Sequence, residues 1–243
     1  MINIADNRDL TIYPISEGAV SVEFGEAIDE SVMQQVNGFN KLLNEIPFPG
    51  MRQTVPAYTT LSVFYDPLVL IEGTLPGITC YEKVCRYLQQ LMKGYELSIA
   101  TVEDDLVNVP VCYGHPFGPD LDYVAVYHKL TADEVIRLHS SAVYKVYMIG
   151  FIPGFAYMGG LAAALETPRK ATPAKAVPAG AVGIAGKQTG IYPLETPGGW
   201  QIIGQTPVQL FNAERQPPAL LKAGDRVKFE PISLADFKKY RKG

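Results

Sequence analysis

Near the start of the chain Val20, Val22 and Phe24 alternate with Ser21 and Glu23, the two-residue period of a strand with one buried face. A shorter apolar run, Thr11–Ile15, precedes it, with Glu17-Gly18 as the turn between the two. The period then changes. Val32, Val36, Phe39, Leu42 and Leu43 recur at helical spacing, with Asp29 or Ser31 as cap, and Pro47-Phe48-Pro49-Gly50 ends the helix. Gln53–Tyr58 and Thr59–Tyr65 are rich in β-branched and aromatic residues and predict two more strands, the second stopped by Asp66-Pro67. After Pro76-Gly77, a second helix carries Ile78, Tyr81, Val84, Cys85, Leu88, Leu91 and Met92 on one side, and Glu96–Thr101 predicts a strand. The order fits an N-terminal α+β domain over residues 1–101, two helices packed on an antiparallel sheet.

The second half is patterned differently. Val102–Leu106 is short and acidic and suits a linker. Val107–Tyr113 predicts a strand and Gly114–Asp120 a loop, with Asp120 and Asp122 placed to cap a following helix. Thr131 with Glu134 fits a capping box and predicts a helix over Thr131–Ser140. From Tyr147 to Thr206 glycine and proline are dense, and short apolar runs (Tyr144–Phe151, Val182–Ala185, Gln201–Ile203) predict strands joined by shaped loops. Ala223-Gly224-Asp225 turns into a strand Arg226–Glu230, and Ser233–Arg241 predicts a final helix. Residues 107–243 therefore predict a small β barrel with a concave surface built by its loops.

Composition excludes more than it selects. The 243 residues are 47% hydrophobic and 19% charged with a formal net charge of −4, so no whole-chain field recruits nucleic acid or an anionic membrane. No apolar run approaches the ~18–20 residues needed to span a bilayer. The N-terminus lacks the pattern of a secretory leader. The three cysteines, Cys80, Cys85 and Cys112, have no metal-ligand spacing. Together these features predict a reduced, cytoplasmic protein without a recognisable metal site.

The usual catalytic signatures are missing: there is no GxxxxGK[ST] phosphate loop, no GxGxxG, no GxSxG and no HExxH. Cys112 and His115 are close in sequence, but a catalytic Cys-His pair is a spatial arrangement that this spacing does not establish. Of the three histidines, His139 stands at the end of the second-half helix, just before the glycine- and proline-dense stretch. It is a candidate proton carrier titrating near neutral pH, or a histidine satisfied at a helix C-terminus. Arg169, Lys170, Lys175 and Lys187 are the densest basic group; Arg169 is suited to bidentate contact with a carboxylate or phosphate, while Lys170 and Lys175 suit a solvated loop. Trp200, after Gly198-Gly199, serves either a planar ligand or the barrel core.

The motifs GFIPGFAYMGGL (150–161), TPRKATPAKAVPAGAVGIAG (167–186), QTGIYP (188–193) and TPGGWQIIGQTP (196–207) resemble the allophanate hydrolase subunit 1 family. AYTTLSVFYDP (57–67), FGPDLDYVA (117–125) and LKAGDRVKFEPI (221–232) extend the resemblance to nearly the whole chain. That family includes the B subunits of ATP-dependent 5-oxoprolinases (PxpB) and the sporulation-kinase inhibitor KipI. The resemblance implies a cyclophilin-like barrel and a hydrolase acting on a cyclic amide, inactive alone. It implies two partners, a C subunit related to allophanate hydrolase subunit 2 and a LamB/YcsF-like A subunit, with 5-oxoproline opened to L-glutamate. ATP is used by such a complex and is not expected to bind this chain alone. Alternatives within the resemblance are a KipI-like inhibitor that binds a histidine kinase, and the carboxyltransferase part of a urea-type biotin-dependent carboxylase.

The implied chemistry needs groups for phosphoryl and carboxylate charge and a proton carrier. His139 and Arg169 are the catalytic candidates. Phe151, Pro153, Gly154, Phe155, Lys187, Gln188, Tyr192, Gly198, Gly199 and Trp200 are the candidates for binding substrate or partner. Ala174, Ala181 and Gln205 depart from the Arg, Ser and Arg that the family pattern favours there, which weakens any strongly anion-binding surface.

Overall fold

The computed structural model describes residues 2–4, 8–26, 30–93 and 106–240, and the chain divides into two compact units, Met1–Val102 and Glu103–Gly243. In the first unit the chain runs β1 (Ile2–Ile4), β2 (Arg8–Ser16), β3 (Ala19–Glu23), α1 (Glu30–Glu45), β4 (Met51–Pro56), β5 (Thr60–Tyr65), α2 (Pro67–Glu72) and α3 (Cys80–Lys93). The sheet order is β1-β2-β3-β5-β4, antiparallel at every step. Val20 and Val22 of β3 and Leu61 and Val63 of β5 face one side, as the alternation implies, but Ala19 and Ser21 on the other face of β3 are buried too, so the expectation of a single buried face is corrected for this central strand. Val36 and Phe39 of α1 and Val84 and Leu88 of α3 cover that side. The expected strand Glu96–Thr101 and the cap candidate Asp29 lie outside the described residues.

Asp66-Pro67 does more than stop a strand. It ends β5 and also starts α2, with the Asp66 carboxylate accepting from the Leu68 N–H at 3.0 Å and Pro67 at the first helical position. The buried Lys83 closes the other end, its Nζ donating to the carbonyls of Leu70 (2.6 Å) and Gly73 (3.1 Å).

The second unit contains β6 (Leu106–Tyr113), α4 (Leu121–His128), α5 (Ala132–Ser141), β7 (Val143–Ile149), β8 (Ala156–Gly159), β9 (Ala174–Val177), β10 (Ala181–Ala185), β11 (Gln188–Ile191), β12 (Thr196–Gly198), β13 (Gln201–Gln205), β14 (Arg226–Pro231) and α6 (Leu234–Tyr240). Seven strands close a barrel in the order β10-β11-β8-β7-β14-β6-β13, and only the β14–β6 pairing is parallel. The expected capping box holds α5: Thr131 Oγ1 accepts from the Glu134 N–H at 3.2 Å, and the Glu134 carboxylate accepts from the Thr131 N–H at 2.7 Å. β9 and β12 form a separate two-stranded ribbon. The α+β architecture with a closed barrel is as the sequence predicts. Among the described residues, no helix is long and apolar enough to cross a membrane.

Candidate functional site

Each barrel strand presents two faces, and the candidate residues divide between them. Val182 and Ile184 of β10, Ile191 of β11 and Met158 of β8 point inward to the main core. The residues between them point outward. Register places Gly183 opposite Gly190 and Gly190 opposite Tyr157. Two facing glycines leave a trough in the outer wall, and the Trp200 ring lies along it. A Cβ on Gly190 would stand 3.0 Å from Trp200 Cζ3 and from the Ala156 carbonyl oxygen, and one on Gly183 would stand 3.1 Å from Trp200 Cβ. Phe155 meets Trp200 edge-on at 5.4 Å and Tyr192 at 5.1 Å, forming a second core outside the barrel with Val177 of β9. Trp200, Phe155 and Tyr192 are buried there, so of the two uses open to Trp200 the structure shows the packing one.

The exposed members of the set surround this cluster. Phe151 has φ of +68° and is 62% exposed, a bulky side chain held in a strained backbone conformation and presented to solvent. It touches Phe155 edge-on at 5.8 Å. Pro153 is exposed beside it; Gly154 takes φ of +80° and is buried, close against Phe211. Arg169 and Lys187 are exposed, and Gln188 and Gly198-Gly199 are half-buried. Burial raises the phenol pKa values of Tyr157 and Tyr192, and the Arg169 charge acts in the opposite direction on both.

Arg169 is exposed, but the chain that carries it is pinned on both sides. The Thr167 carbonyl accepts from the Gly186 N–H (2.7 Å), the Pro168 carbonyl from Gln201 Nε2 (2.9 Å), and the Gly199 carbonyl from the Lys170 N–H (2.7 Å). The Lys170 ammonium pairs with Asp120 at 2.6 Å, and Lys175 is exposed. The expectation that Asp120 caps its helix is corrected. It occupies the N-cap position of α4 but makes no side-chain capping bond, and its carboxylate accepts instead from the Ile202 N–H at 2.7 Å.

His139 lies on the other face. It is 0% exposed, stacked on Phe229 at 4.6 Å inside the barrel. Thr189 Oγ1 donates to the Gly183 carbonyl (3.0 Å), so His139 Nε2 must carry the proton in its 2.9 Å contact with that oxygen. Nδ1 then accepts from the Tyr113 hydroxyl at 2.8 Å. Burial pushes the imidazole pKa down to about 3, so the expectation that it titrates near neutral pH is corrected: the ring is neutral there, with both nitrogens occupied. Cys112 is buried, which raises its thiol pKa, while His115 is exposed. Among the described residues no group of three or more His, Cys, Asp or Glu is placed to hold a metal ion.

Residues 10–221 match the family described as the carboxyltransferase domain, subdomain C and D. The chain belongs to this family. Its relatives include the 5-oxoprolinase B subunit of Bacillus subtilis, 44% identical over 235 residues, which are 95% of this chain and 96% of the relative. The 5-oxoprolinase B subunit of Escherichia coli O157:H7 is 49% identical over 219 residues, 90% of this chain and 94% of the relative. The crystal structure of TTHA0988 matches 88% of this chain at 36% identity with a TM-score of 0.74, and this chain spans 40% of that one. These findings bear out the resemblance read from the motifs.

Within this carboxyltransferase-family barrel, the residues that sequence reasoning missed are Tyr157, Thr189, His128 and the true partners of Asp120. The His128 Nε2 donates to Thr167 Oγ1 at 3.1 Å, and that hydroxyl donates to the Leu165 carbonyl at 2.9 Å. The alternation of small outward and large inward residues along AVGIA, with Gly190 between Thr189 and Ile191, was the available signal for the outer wall. Nothing local signals the pairing of His139 with Thr189, which lies 50 residues away.

Proposed function

We propose that this chain is the B subunit of an ATP-dependent 5-oxoprolinase, which works with the A and C subunits to hydrolyse 5-oxoproline to L-glutamate. The observation that carries this reading is near-full-length similarity to proteins named as 5-oxoprolinase B subunits, covering 94–96% of those relatives in the two cases above. In those relatives the shared segment is nearly the entire subunit, and a subunit implies partners.

The outer wall supports the same reading. Arg169 presents an exposed cation, whose charge acts on the phenols of Tyr157 and Tyr192 and which is suited to the carboxylate of a small cyclic amide acid. Lys187 and Gln188, on the β10–β11 hairpin next to Thr167, are the further candidates for ligand charge. The exposed, strained Phe151 is the candidate apolar contact for a partner protein. We assign His139 to holding the barrel, since it offers no exposed atom to a substrate. ATP is assigned to the assembly as a whole, because this chain carries no phosphate loop.

The test is 5-oxoproline-dependent ATP hydrolysis and glutamate release, assayed with this chain alone, with the C subunit, and with the A and C subunits together. Turnover in the three-protein mixture only is the expected result. No turnover in any mixture of folded proteins would overturn the assignment in favour of kinase binding or a carboxylase.

A further inference from the structure

The helix α4 touches the Arg169 segment at both of its ends. At its start, the Asp120 carboxylate joins two otherwise separate pieces of chain: the Ile202 N–H of β13 at 2.7 Å and the Lys170 ammonium at 2.6 Å. At its end, His128 donates to Thr167 at 3.1 Å. Thr167 and Lys170 flank the Pro168-Arg169 pair on either side. An aspartate at an N-cap ordinarily accepts from the first turn of its own helix. Asp120 forgoes that bond, leaving its carboxylate to the β13 backbone and Lys170. The ion pair is also well shielded, with side-chain exposures of 24% for Lys170 and 17% for Asp120, so it is screened less than the surface pairs on this molecule.

We propose that Asp120 is a positioning residue for Arg169. Through Lys170 and Ile202 it fixes the 167–170 segment against β13, so that the backbone carrying the Arg169 guanidinium is held in place. His128 secures the far end of the same segment. Lys170 is thereby neutralised and takes no part in binding ligand charge, which leaves that task to Arg169. The proposal rests on the reading of Arg169 as the ligand-charge group of a 5-oxoprolinase, and it names a residue that touches neither substrate nor the reacting atoms.

Asp120→Asn keeps an amide oxygen for the Ile202 N–H and removes the charge that holds Lys170, so it isolates the pairing. In the three-protein mixture, D120N is expected to raise the KM for 5-oxoproline about tenfold while kcat stays within about twofold. Lys170→Met should have the same effect, and the double variant should be no worse than either single one. A wild-type KM for D120N overturns the proposal. Trp200, the only tryptophan, supplies a readout independent of activity, because the Gly199 carbonyl just before it accepts the Lys170 N–H. In the isolated full chain, D120N is expected to raise acrylamide quenching of Trp200 about twofold. If the wild-type mixture shows no turnover, the functional reading fails on its own. The quenching experiment then decides the positioning claim: increased quenching upholds it and unchanged quenching overturns it.

Discussion

The two faces of one barrel wall differ in how far their polar groups are exposed. Inside, Tyr113, His139, Thr189 and the Gly183 carbonyl form a one-directional chain of hydrogen bonds in which every polar atom has a partner. Outside, across the same strands, Arg169 is exposed on a pinned segment and Phe151 projects in a strained conformation. A closed network stabilises and specifies a fold, whereas an exposed cation on a rigid support is what a ligand or partner can use. The polar residue that looked most chemical in the sequence, His139, belongs to the first kind, and Arg169 to the second.

The largest expected effect breaks the interior. His139→Ala leaves the Tyr113 hydroxyl and Thr189 Oγ1 without their partner and opens a cavity against Phe229, costing about 3–5 kcal/mol of stability by urea unfolding. His139→Gln, which can still donate and accept, should cost less than half as much.

The interior also sets a pH dependence. His139 in the folded chain has a pKa of about 3, below the ordinary 6.5, so the unfolded chain takes up the proton first as pH falls. Its contribution to stability is complete above about pH 6.5 and is lost progressively toward pH 3, at about 1.4 kcal/mol per unit inside that window. Urea midpoints measured from pH 7 to pH 4 should show this slope. H139Q should flatten it by the same amount.

A moderate effect is expected at the boundary between the faces. A methyl group on Gly190 would press on Trp200 and on the Ala156 carbonyl oxygen at 3.0 Å, and on Phe155 at 3.2 Å. Gly190→Ala should cost about 1–3 kcal/mol and red-shift Trp200 emission, since the ring must leave its trough. The smallest stability effect belongs outside. Phe151→Gly relieves a left-handed backbone and should change stability by less than about 1 kcal/mol, while weakening association with the C subunit in a pull-down titration.

How much of this was legible depends on the range of the interactions. The capping box of α5 and the amphipathic stripes of α1 and α3 are local, and Thr131, Glu134, Val36 and Leu88 announce them. The short strands β8 and β11 and the β9–β12 ribbon were not legible, because strands of three or four residues carry too little period to stand out. The role of Asp120 was hidden because its partners, Lys170 and Ile202, are supplied from far along the chain. Gln205, which in sequence registers only as a lost cation, is a tie: its Nε2 donates to the Ala179 carbonyl and holds the loop before β10.

The contrast between the two faces is tested most directly by comparing Arg169→Ala with His139→Gln in the assembled complex, measuring glutamate release per folded protein. R169A should lower kcat/KM for 5-oxoproline by about 10–100-fold with stability unchanged within about 0.5 kcal/mol. H139Q should lower stability while leaving turnover of the folded fraction within about twofold. The opposite pattern, with activity lost in H139Q and retained in R169A, would contradict the account and return the chemistry to the barrel interior.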